Sequence, residues 1–395
     1  MWIFLSVLFA WNALVWLVLG ALFSPVFPGG WGGILVAALL LIAPVFILIQ
    51  GFRGGLYPSG PARLLALRPF WYAQLFLPLL AIAGLVGLVA GWPLGAAREV
   101  GQMAVACAGV VLVGMSIWGY IGTRRLVVRH LDLGFDTLPP ELDGMRIVQL
   151  ADLHVGPHTS RRQLERIADA VQDARPDLIA LVGDQVDDFA RDVEPLGAAL
   201  RHLTAPLGVI AVPGNHDVYA GWADVRSGME RLGWTVLVNE AIPLEYRGAR
   251  FWIAGTGDPA GKGGPGGADE SVIPDVERTL ERVPRDDFTV ALAHNPSLWP
   301  ELANRGVDLT LSGHTHYGQV AIPRLNWSVA SIFLEHAMGT HRSGKATLYI
   351  SPGTNYWGIP LRIGALPEVT VITLHKGSIQ EHPTPKTGRR ENQVT

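Results

Sequence analysis

The segment VIAVPGNHD, residues 209–217, ends an apolar run with a carboxamide, an imidazole and a carboxylate in consecutive positions. Four aliphatic residues followed by Pro and Gly are typical of a buried strand that ends in a turn. Asn215, His216 and Asp217 are therefore expected where a strand leaves its sheet. A single turn of this kind is common loop chemistry, so its meaning depends on the turns after the other apolar runs.

Four other apolar runs after residue 144 end in turns that are rich in Asp and His. Those turns contain Asp152-Leu153-His154, Gly183-Asp184-Gln185-Val186-Asp187, Ala293-His294-Asn295 and Gly313-His314-Thr315-His316. Open α/β sheets bind ligands at the carboxyl ends of their strands, so we expect the five turns to face one site. In an extended loop, residues i and i+2 point the same way, and the Asp-x-His and His-x-His pairs can each converge. Oxygen and nitrogen donors without a thiolate favour Mn, Fe or Zn over a Cys-rich structural zinc site.

The periodicity of residues 145–376 predicts an α/β domain in which a layered β-sandwich is flanked by helices. Ser160 is predicted to cap a helix whose apolar face is Leu164, Ile167, Ala168 and Val171. The other predicted helices are residues 193–203, 223–232, 276–283 and 298–305. The predicted strands are residues 145–151, 178–182, 209–212, 234–238, 242–246, 250–254, 288–292, 309–311, 319–322, 346–350 and 368–374.

Residues 1–128 are predicted to form a transmembrane anchor of four helices. Only 16% of the chain is charged and its mean hydropathy is +0.28, values unusual for a soluble protein. Four runs have the length of about 20 residues that a bilayer core requires, at 2–23, 31–52, 70–92 and 100–121. None contains Lys, Arg or Asp. The first run has no basic segment before it and further spans follow, which argues against a cleavable signal peptide, and buried helices of a soluble core are the less favoured alternative.

The distribution of charge predicts the orientation of the anchor and the class of partner. Basic residues lie in the second loop and after the fourth run: Arg53, Arg63, Arg68, Arg124, Arg125 and Arg129. By the positive-inside rule, both termini, and with them the domain after residue 144, are expected to face the cytoplasm at the inner cell membrane. Residues 131–395 contain 24 basic and 33 acidic residues, which argues against nucleic acid as a partner. Residues 129–144 are interpreted as a polar linker and residues 377–395 as a disordered tail.

The five turns, taken together, resemble the motifs of the calcineurin-like metallophosphoesterases: D-x-H, G-D-x-x-D, G-N-H-D/E, H and G-H-x-H. The resemblance covers residues 145–374 and every ligand position is filled. It implies two divalent metal ions, each with its own ligands and with one ligand in common. One ion would be held by Asp152, His154 and His316, the second by Asn215, His294 and His314, and Asp184 would bridge them. His216 would face the leaving group, and Asp187 would hold its imidazole.

The chain is most similar to the membrane-attached branch that includes bacterial phosphodiesterases and UDP-2,3-diacylglucosamine hydrolases. That similarity rests on residues 312–319 (SGHTHYGQ), on Gly358-Ile359-Pro360-Leu361-Arg362 and on Pro367-Glu368. Two residues depart from the branch pattern. Tyr317 stands where Gly is common and Gln185 where an aliphatic residue is usual, so the rim of the pocket is expected to differ.

The resemblance implies hydrolysis of a phosphate monoester or diester. A water between two cations becomes a hydroxide near neutral pH and attacks in line, and an imidazole such as His216 can protonate the departing oxygen. Because the anchor holds the site at the membrane, a lipid or nucleotide-linked lipid is the expected substrate. The alternative is a non-catalytic membrane sensor or scaffold, whose signature would be missing ligands.

Several residues near the motifs have simpler interpretations. Asp217 is left open between a supporting residue of the site and a structural one. His158, His202, His336 and His341 have no motif around them and are interpreted as surface or capping residues. The apolar segment Trp327–Ala337 has the composition to reach the bilayer interface, but we expect it to pack against the domain.

Overall fold

The computed structural model describes residues 2–46, 63–264 and 267–377 of the 395-residue chain. The chain divides into two compact units, residues 1–118 and 119–395. The helices of the first unit are α1 (Trp2–Phe23), α2 (Gly30–Ile42), α3 (Arg68–Gly91), which follows a π-helical turn at Arg63–Leu67, and α4 (Ala97–Gly122), which continues into the second unit.

Within the described residues, three helices are long and apolar enough to cross a membrane: α1, the segment Leu65–Leu94 around α3, and α4. The helix α2 has 13 residues, and the predicted second span, residues 31–52, runs on into positions 47–52, which lie outside the described residues. The count of four spans therefore stays a prediction. A helix as short as α2 is below the length of about 20 residues that a bilayer core requires.

The second unit contains two six-stranded mixed sheets. The first has the order β1–β14–β2–β3–β4–β5, with the strands Val127–Phe135, Glu368–Lys376, Arg146–Leu150, Leu178–Val182, Val209–Val212 and Thr235–Val236. The second has the order β12–β13–β9–β8–β7–β6, with the strands Gly339–Ser343, Ala346–Ile350, Leu309–Ser312, Thr289–Leu292, Ala249–Gly255 and Glu240–Tyr246. A two-stranded ribbon joins β10 (Ala321–Ile322) to β11 (Trp327–Ser328).

The two sheets pack face to face, and helices cover their outer faces. The core between the sheets contains Ile147 and Leu178 of the first sheet and Val290 and Leu309 of the second, all fully buried. The helices α5 (Arg161–Asp173), α6 (Val193–Leu200), α7 (Asn215–Tyr219) and α8 (Trp222–Arg231) lie on the side of the first sheet. The short helices α9 (Val276–Leu280) and α10 (Trp299–Asn304) pack against the second. The predicted sandwich flanked by helices is thus present as an α/β domain with mixed sheets.

The prediction of a linker is wrong for residues 129–135. These residues belong to β1, which pairs in parallel with β14 from Val127–Glu368 to Phe135–Lys376. As an edge strand, β1 is apolar on only one side, and the polar His130 is exposed, so no continuous apolar run marks it. The other predicted domain boundaries stay predictions, and positions 378–395 of the predicted tail lie outside the described residues.

Candidate metal centre

Five parallel strands place the motif turns at one edge of the sandwich. Strands β2, β3 and β4 are parallel neighbours in the first sheet, and β8 and β9 are parallel neighbours in the second. The carboxyl ends of parallel neighbours meet at the same edge, so the turns after all five strands lie close together. Contacts between turns of different sheets confirm this, since the backbone N–H of His314 donates to the carboxylate of Asp152 at 3.1 Å.

The turns are left-handed at many of the predicted ligands. The φ angles lie between 41° and 68° at Asp152, His154, Asp184, His314 and His316. The prediction that Asp-x-His and His-x-His lie in extended loops is therefore wrong. Each turn must leave its strand sharply to stay at the sheet edge, and a left-handed residue achieves this at a cost of about 1–2 kcal/mol for a side chain other than Gly. The two pairs still converge, but through backbone bends.

Asp152, His154 and His316 form the first cluster of donor atoms. Their side chains are at most 8% exposed. The two imidazoles bring their Nε2 atoms to 3.0 Å, and His316 Nε2 lies 3.4 Å from Asp152 Oδ1. One ligand atom from each residue lies within 4.8 Å of the others, a spacing that can hold one metal ion.

Asp184 lies between the first cluster and a second group of donors. Its Oδ2 is 3.6 Å from His154 Nε2 and 3.3 Å from His294 Nε2. On the second side, His314 Nδ1 lies 2.8 Å from Asn215 Oδ1. A carboxylate in this position has one neighbour from each predicted ligand set, as a bridging ligand requires.

Two glycines permit these close approaches. A Cβ on Gly214 would lie 2.2 Å from the backbone N of Asp184 and 2.3 Å from its Oδ1. Gly183 has a φ of 75°, and a Cβ there would lie 2.3 Å from Nδ1 of His294. The glycines of the G-D and G-N-H-D motifs are thus required by the density of side chains around Asp184.

Comparisons with known proteins agree with this geometry. A family model described as calcineurin-like phosphoesterase matches residues 145–318. A metallophosphoesterase of Helicobacter pylori strain J99 is 31% identical over 65% of this chain and 65% of its own length. A Bos taurus transmembrane protein with metallophosphoesterase domain is 30% identical over 72% of this chain and 66% of its length, and a Bacillus subtilis metallophosphoesterase is 29% identical over 69% and 95%.

The chain belongs to the calcineurin-like phosphoesterases. Family membership rests on the domain that carries the five turns, since the matched residues 145–318 contain all of them. The chain spans 65% of the length of the Helicobacter relative, so the match does not by itself establish the activity, substrates or partners of this chain. Within this family, the more specific similarity to a branch that acts on UDP-linked lipids stays a prediction.

The donor set of the phosphoesterase fits divalent cations. Ligand atoms bound at right angles to one ion at about 2.1 Å are about 3.0 Å apart. The 2.8 Å between Asn215 and His314 and the 3.0 Å between His154 and His316 match that separation. Nδ1 of His294 contacts the carbonyl of Val182 at 2.9 Å, so Nδ1 carries the proton and Nε2 faces the site. The assignment of each ligand to one of two ions stays a prediction, as does the identity of the metal.

The buried charges of the site influence one another strongly. Burial raises the pKa of Asp152 to about 6, although the imidazole of His294 opposes the shift. Burial also acts to raise the pKa of Asp184, but the imidazoles of His294 and His216 outweigh it and hold that pKa well below its usual range. Conversely, burial acts to lower the pKa of His294, and the Asp184 carboxylate outweighs it and holds the pKa well above its ordinary value. Asp184 is therefore an anion at neutral pH, as expected of a ligand shared by two cations.

Asp187 contacts His216 through its backbone. His216 Nδ1 lies 2.7 Å from the carbonyl oxygen of Asp187, whereas the Asp187 carboxylate is 3.9 Å away. That carboxylate lies nearer to His154 Nδ1, at 3.3 Å, and to His158 Nδ1, at 3.5 Å. The backbone carbonyl of Asp187, and not its carboxylate, therefore contacts His216, and the carboxylate faces the predicted ligand His154.

Two residues next to the site were not foreseen from the sequence. The side chain of His158, interpreted as a surface or capping residue, is only 3% exposed and contacts Asp187. Arg362 is fully buried, and its Nη2 lies 2.9 Å from His316 Nδ1. A second His four positions after His154 was the available signal for His158. For Arg362, the signal was a cation in an otherwise apolar stretch, IPLRIG.

The carboxylate of Asp217 connects two of the turns by hydrogen bonds. It is fully buried, and its Oδ1 accepts the backbone N–H groups of Gln185 at 2.9 Å and Val186 at 3.1 Å. Its Oδ2 accepts the N–H of Gly214 at 2.9 Å. The carboxylate thus joins the turn after β3 to the turn after β4, which carry Asp184 and Asn215.

Proposed function

We propose that this protein is a membrane-anchored, metal-dependent phosphoester hydrolase with a dinuclear centre. The observation that carries the proposal is the position of Asp184, whose carboxylate lies 3.6 Å from His154 and 3.3 Å from His294. A carboxylate between two sets of buried donors suits a pair of divalent cations, which would activate a water molecule and neutralise charge on the phosphoryl oxygens when bound.

The chain's own residues would orient the ester and handle the departing group. The backbone N–H of His216 donates to Asp184 Oδ1 at 2.7 Å, which fixes the start of α7 against the donor cluster. A carbonyl only accepts hydrogen bonds, so the contact with Asp187 places a proton on Nδ1 of His216. Nε2 then faces the ester, and a proton that it takes up from solvent before the reaction would pass to the leaving oxygen, an effect typically worth about 10²–10⁴-fold in rate.

Membrane attachment suggests the class of substrate. Three apolar helices precede the domain, and the Bos taurus relative is named a transmembrane protein with metallophosphoesterase domain. We propose that the domain works at the cytoplasmic face of the inner membrane on a lipid phosphoester or a nucleotide-linked lipid. A purified enzyme that prefers soluble nucleotides to every lipid phosphoester offered would refute this part of the proposal.

Hydrolysis of a generic aryl phosphodiester and an aryl phosphomonoester by the full-length protein in detergent with Mn²⁺ tests the activity. We expect Asp184→Asn and His216→Ala to lower kcat by about 10²-fold or more, with His216→Ala retaining bound Mn²⁺. Asp286→Asn, at an exposed loop position, is the matched control. Activity that survives both site substitutions would refute the assigned centre, and a metal-loaded wild type inactive on every ester offered would favour the sensor or scaffold alternative.

A further inference from the structure

The exposed apolar side chains of the second unit are concentrated in one region. Among the described residues of this unit, every exposed large apolar side chain belongs to Tyr120–Ile121, to Trp357 or to the segment 322–334. We call the exposed side chains of that last segment the apolar rim: Ile322, Leu325, Trp327, Ile332, Phe333 and Leu334. The expectation that residues 327–337 pack against the domain is wrong for the large side chains, since Ile332 is 62% and Phe333 79% exposed.

The apolar rim lies beside the metal centre. The segment after His316 turns at Gly318, and Val320 then accepts the N–H of Val329 at 2.9 Å, which ties the rim to that turn. Gln319 holds Trp357 from the same turn, with its side chain 3.0 Å from the Trp357 carbonyl oxygen. The ring of Trp357 lies 5.6 Å from the ring of His216. The turn that holds the rim thus also holds an exposed aromatic residue, Trp357, next to the residue that would face the leaving group.

The apolar rim also lies next to the last turn of α4, which belongs to the second unit. The carbonyl of Gly119 accepts the N–H of Arg362 at 2.9 Å. The next residue, Ile363, donates to Gln319 at 3.0 Å and accepts from Ala321 at 2.8 Å, and Ala321 precedes the first rim residue. Two backbone hydrogen bonds therefore connect the end of an apolar helix with the rim.

The end of α4 has the composition of a bilayer interface. Tyr120 is exposed, and the guanidinium of Arg124 lies 4.9 Å from its ring. Aromatic residues with Arg beside them at a helix end mark the level of the headgroups. The exposed cations Arg124, Arg125 and Arg324 flank the apolar surface, and such cations favour an anionic leaflet. The single acidic residue of segment 320–335 is Glu335.

We propose that the apolar rim inserts into the interface of the bilayer that α4 leaves, and so holds the mouth of the metal centre against the lipid headgroups. The proposal rests on the proposed function for the identity of the site. For its position it rests on the hydrogen bonds that join Gly119 to Arg362 and Ile363 to Ala321. Scattered single apolar residues on a surface need no partner, but six exposed large apolar side chains within residues 322–334 match an interfacial segment.

Fluorescence quenching in vesicles tests insertion directly, with no need for activity. The full-length chain carrying Cys107→Ser and Phe333→Cys is labelled with an environment-sensitive dye and placed in vesicles of phosphatidylcholine and phosphatidylglycerol that contain nitroxide lipids. Arg342→Cys in the same background is the matched control, because Arg342 is exposed on β12. We expect quenching of the label at 333 at least about twofold stronger than at 342, with a blue-shifted emission. Equal quenching at the two positions would overturn the proposal. Contact of the label at 333 with a second protein chain, and not with lipid, would overturn it as well.

A kinetic comparison separates insertion from catalysis. The double substitution Ile332→Ser and Phe333→Ser is expected to lower hydrolysis of a vesicle-borne lipid phosphoester by about tenfold while hydrolysis of a soluble aryl phosphodiester stays unchanged. An equal loss on both substrates would show that the rim supports the fold of the site and would contradict the proposal. If the wild type hydrolyses neither substrate, the proposed function fails, and the quenching result alone decides on insertion.

Discussion

Replacing Arg362 with Met tests whether a buried guanidinium organises the metal centre. Arg362 is fully buried and donates to four carbonyl groups, those of His316 at 3.2 Å, Pro352 at 2.6 Å, Ala365 at 3.1 Å and Asn355. Its Nη2 also lies 2.9 Å from the ring of His316. Met fills the space of the aliphatic stem but carries no charge and donates no hydrogen bond, so the substitution removes the cation together with its donors.

The size of the effect follows from those acceptors. A buried polar group left without a partner costs about 1–3 kcal/mol, so the four carbonyls cost about 4 kcal/mol at the lower end of that range, or about 3 kcal/mol once the recovered desolvation of the cation is subtracted. Burial lowers the pKa of Arg362 to about 10, so the side chain is still a cation at neutral pH, and its removal recovers part of that desolvation cost. With about 2–4 °C per kcal/mol for a domain of this size, we expect Tm to fall by about 6–12 °C. Loss of a side chain that contacts a metal ligand, as Arg362 contacts His316, weakens metal binding by about 10–100-fold.

Thermal unfolding followed by intrinsic fluorescence and Mn²⁺ titration by calorimetry measure both effects on the full-length protein. Arg342→Met is the matched control, because the same change at an exposed position of β12 is expected to alter stability by at most about 0.5 kcal/mol. Arg362→Lys keeps the charge without the planar fork and should lie between Met and wild type. If Arg362→Met has the Tm and the Mn²⁺ affinity of Arg342→Met, the guanidinium does not organise the site.

Two further predictions concern the donors themselves. Asp187→Asn is expected to weaken Mn²⁺ binding by about 10–100-fold, because the carboxylate faces His154, and to leave kcat at saturating Mn²⁺ near the wild-type value, because a backbone carbonyl holds His216. A kcat as low as that of His216→Ala would contradict it. Binding of Mn²⁺ at pH 7 is expected to release about one proton, because burial lowers the pKa of His294 but Asp184 raises it well above the ordinary value, and a ligand must bind without its proton. Calorimetry in two buffers of different ionisation enthalpy measures that number, and a value of zero would refute the charge assignment.

The sequence alone predicted the bounds of three strands that are apolar almost throughout. The structure has β3 at Leu178–Val182, β4 at Val209–Val212 and β13 at Ala346–Ile350, with the predicted bounds. Each is buried at every position, so its apolar run is continuous. The edge strands β1 and β12 were missed, because an edge strand such as Gly339–Ser343 is polar and depends on its neighbour for pairing.

The sequence indicated that the five motif turns face one site, because each follows a predicted strand, and the family resemblance supplied the grouping of the ligands. Asp152, His154 and His316 converge although 162 residues separate the two imidazoles. It did not identify what surrounds them. The carboxylate of Asp187 points to His154, and Arg362 reaches His316 from a loop 46 residues away. Both facts depend on side-chain directions that arise only from long-range packing.

The left-handed conformation of the predicted ligands depends on the structure around the turns. Residues other than Gly at positive φ cost about 1–2 kcal/mol each, and five predicted ligands share this conformation. Such a conformation persists only where neighbouring structure enforces it. Here the enforcing contacts are the three N–H groups on Asp217, the close approach of Gly214 to Asp184 and the fully buried core between the sheets. The rigid sandwich therefore keeps the donor atoms at the distances from one another that a bound cation requires. Few turn residues other than the ligands and the glycines are needed for this.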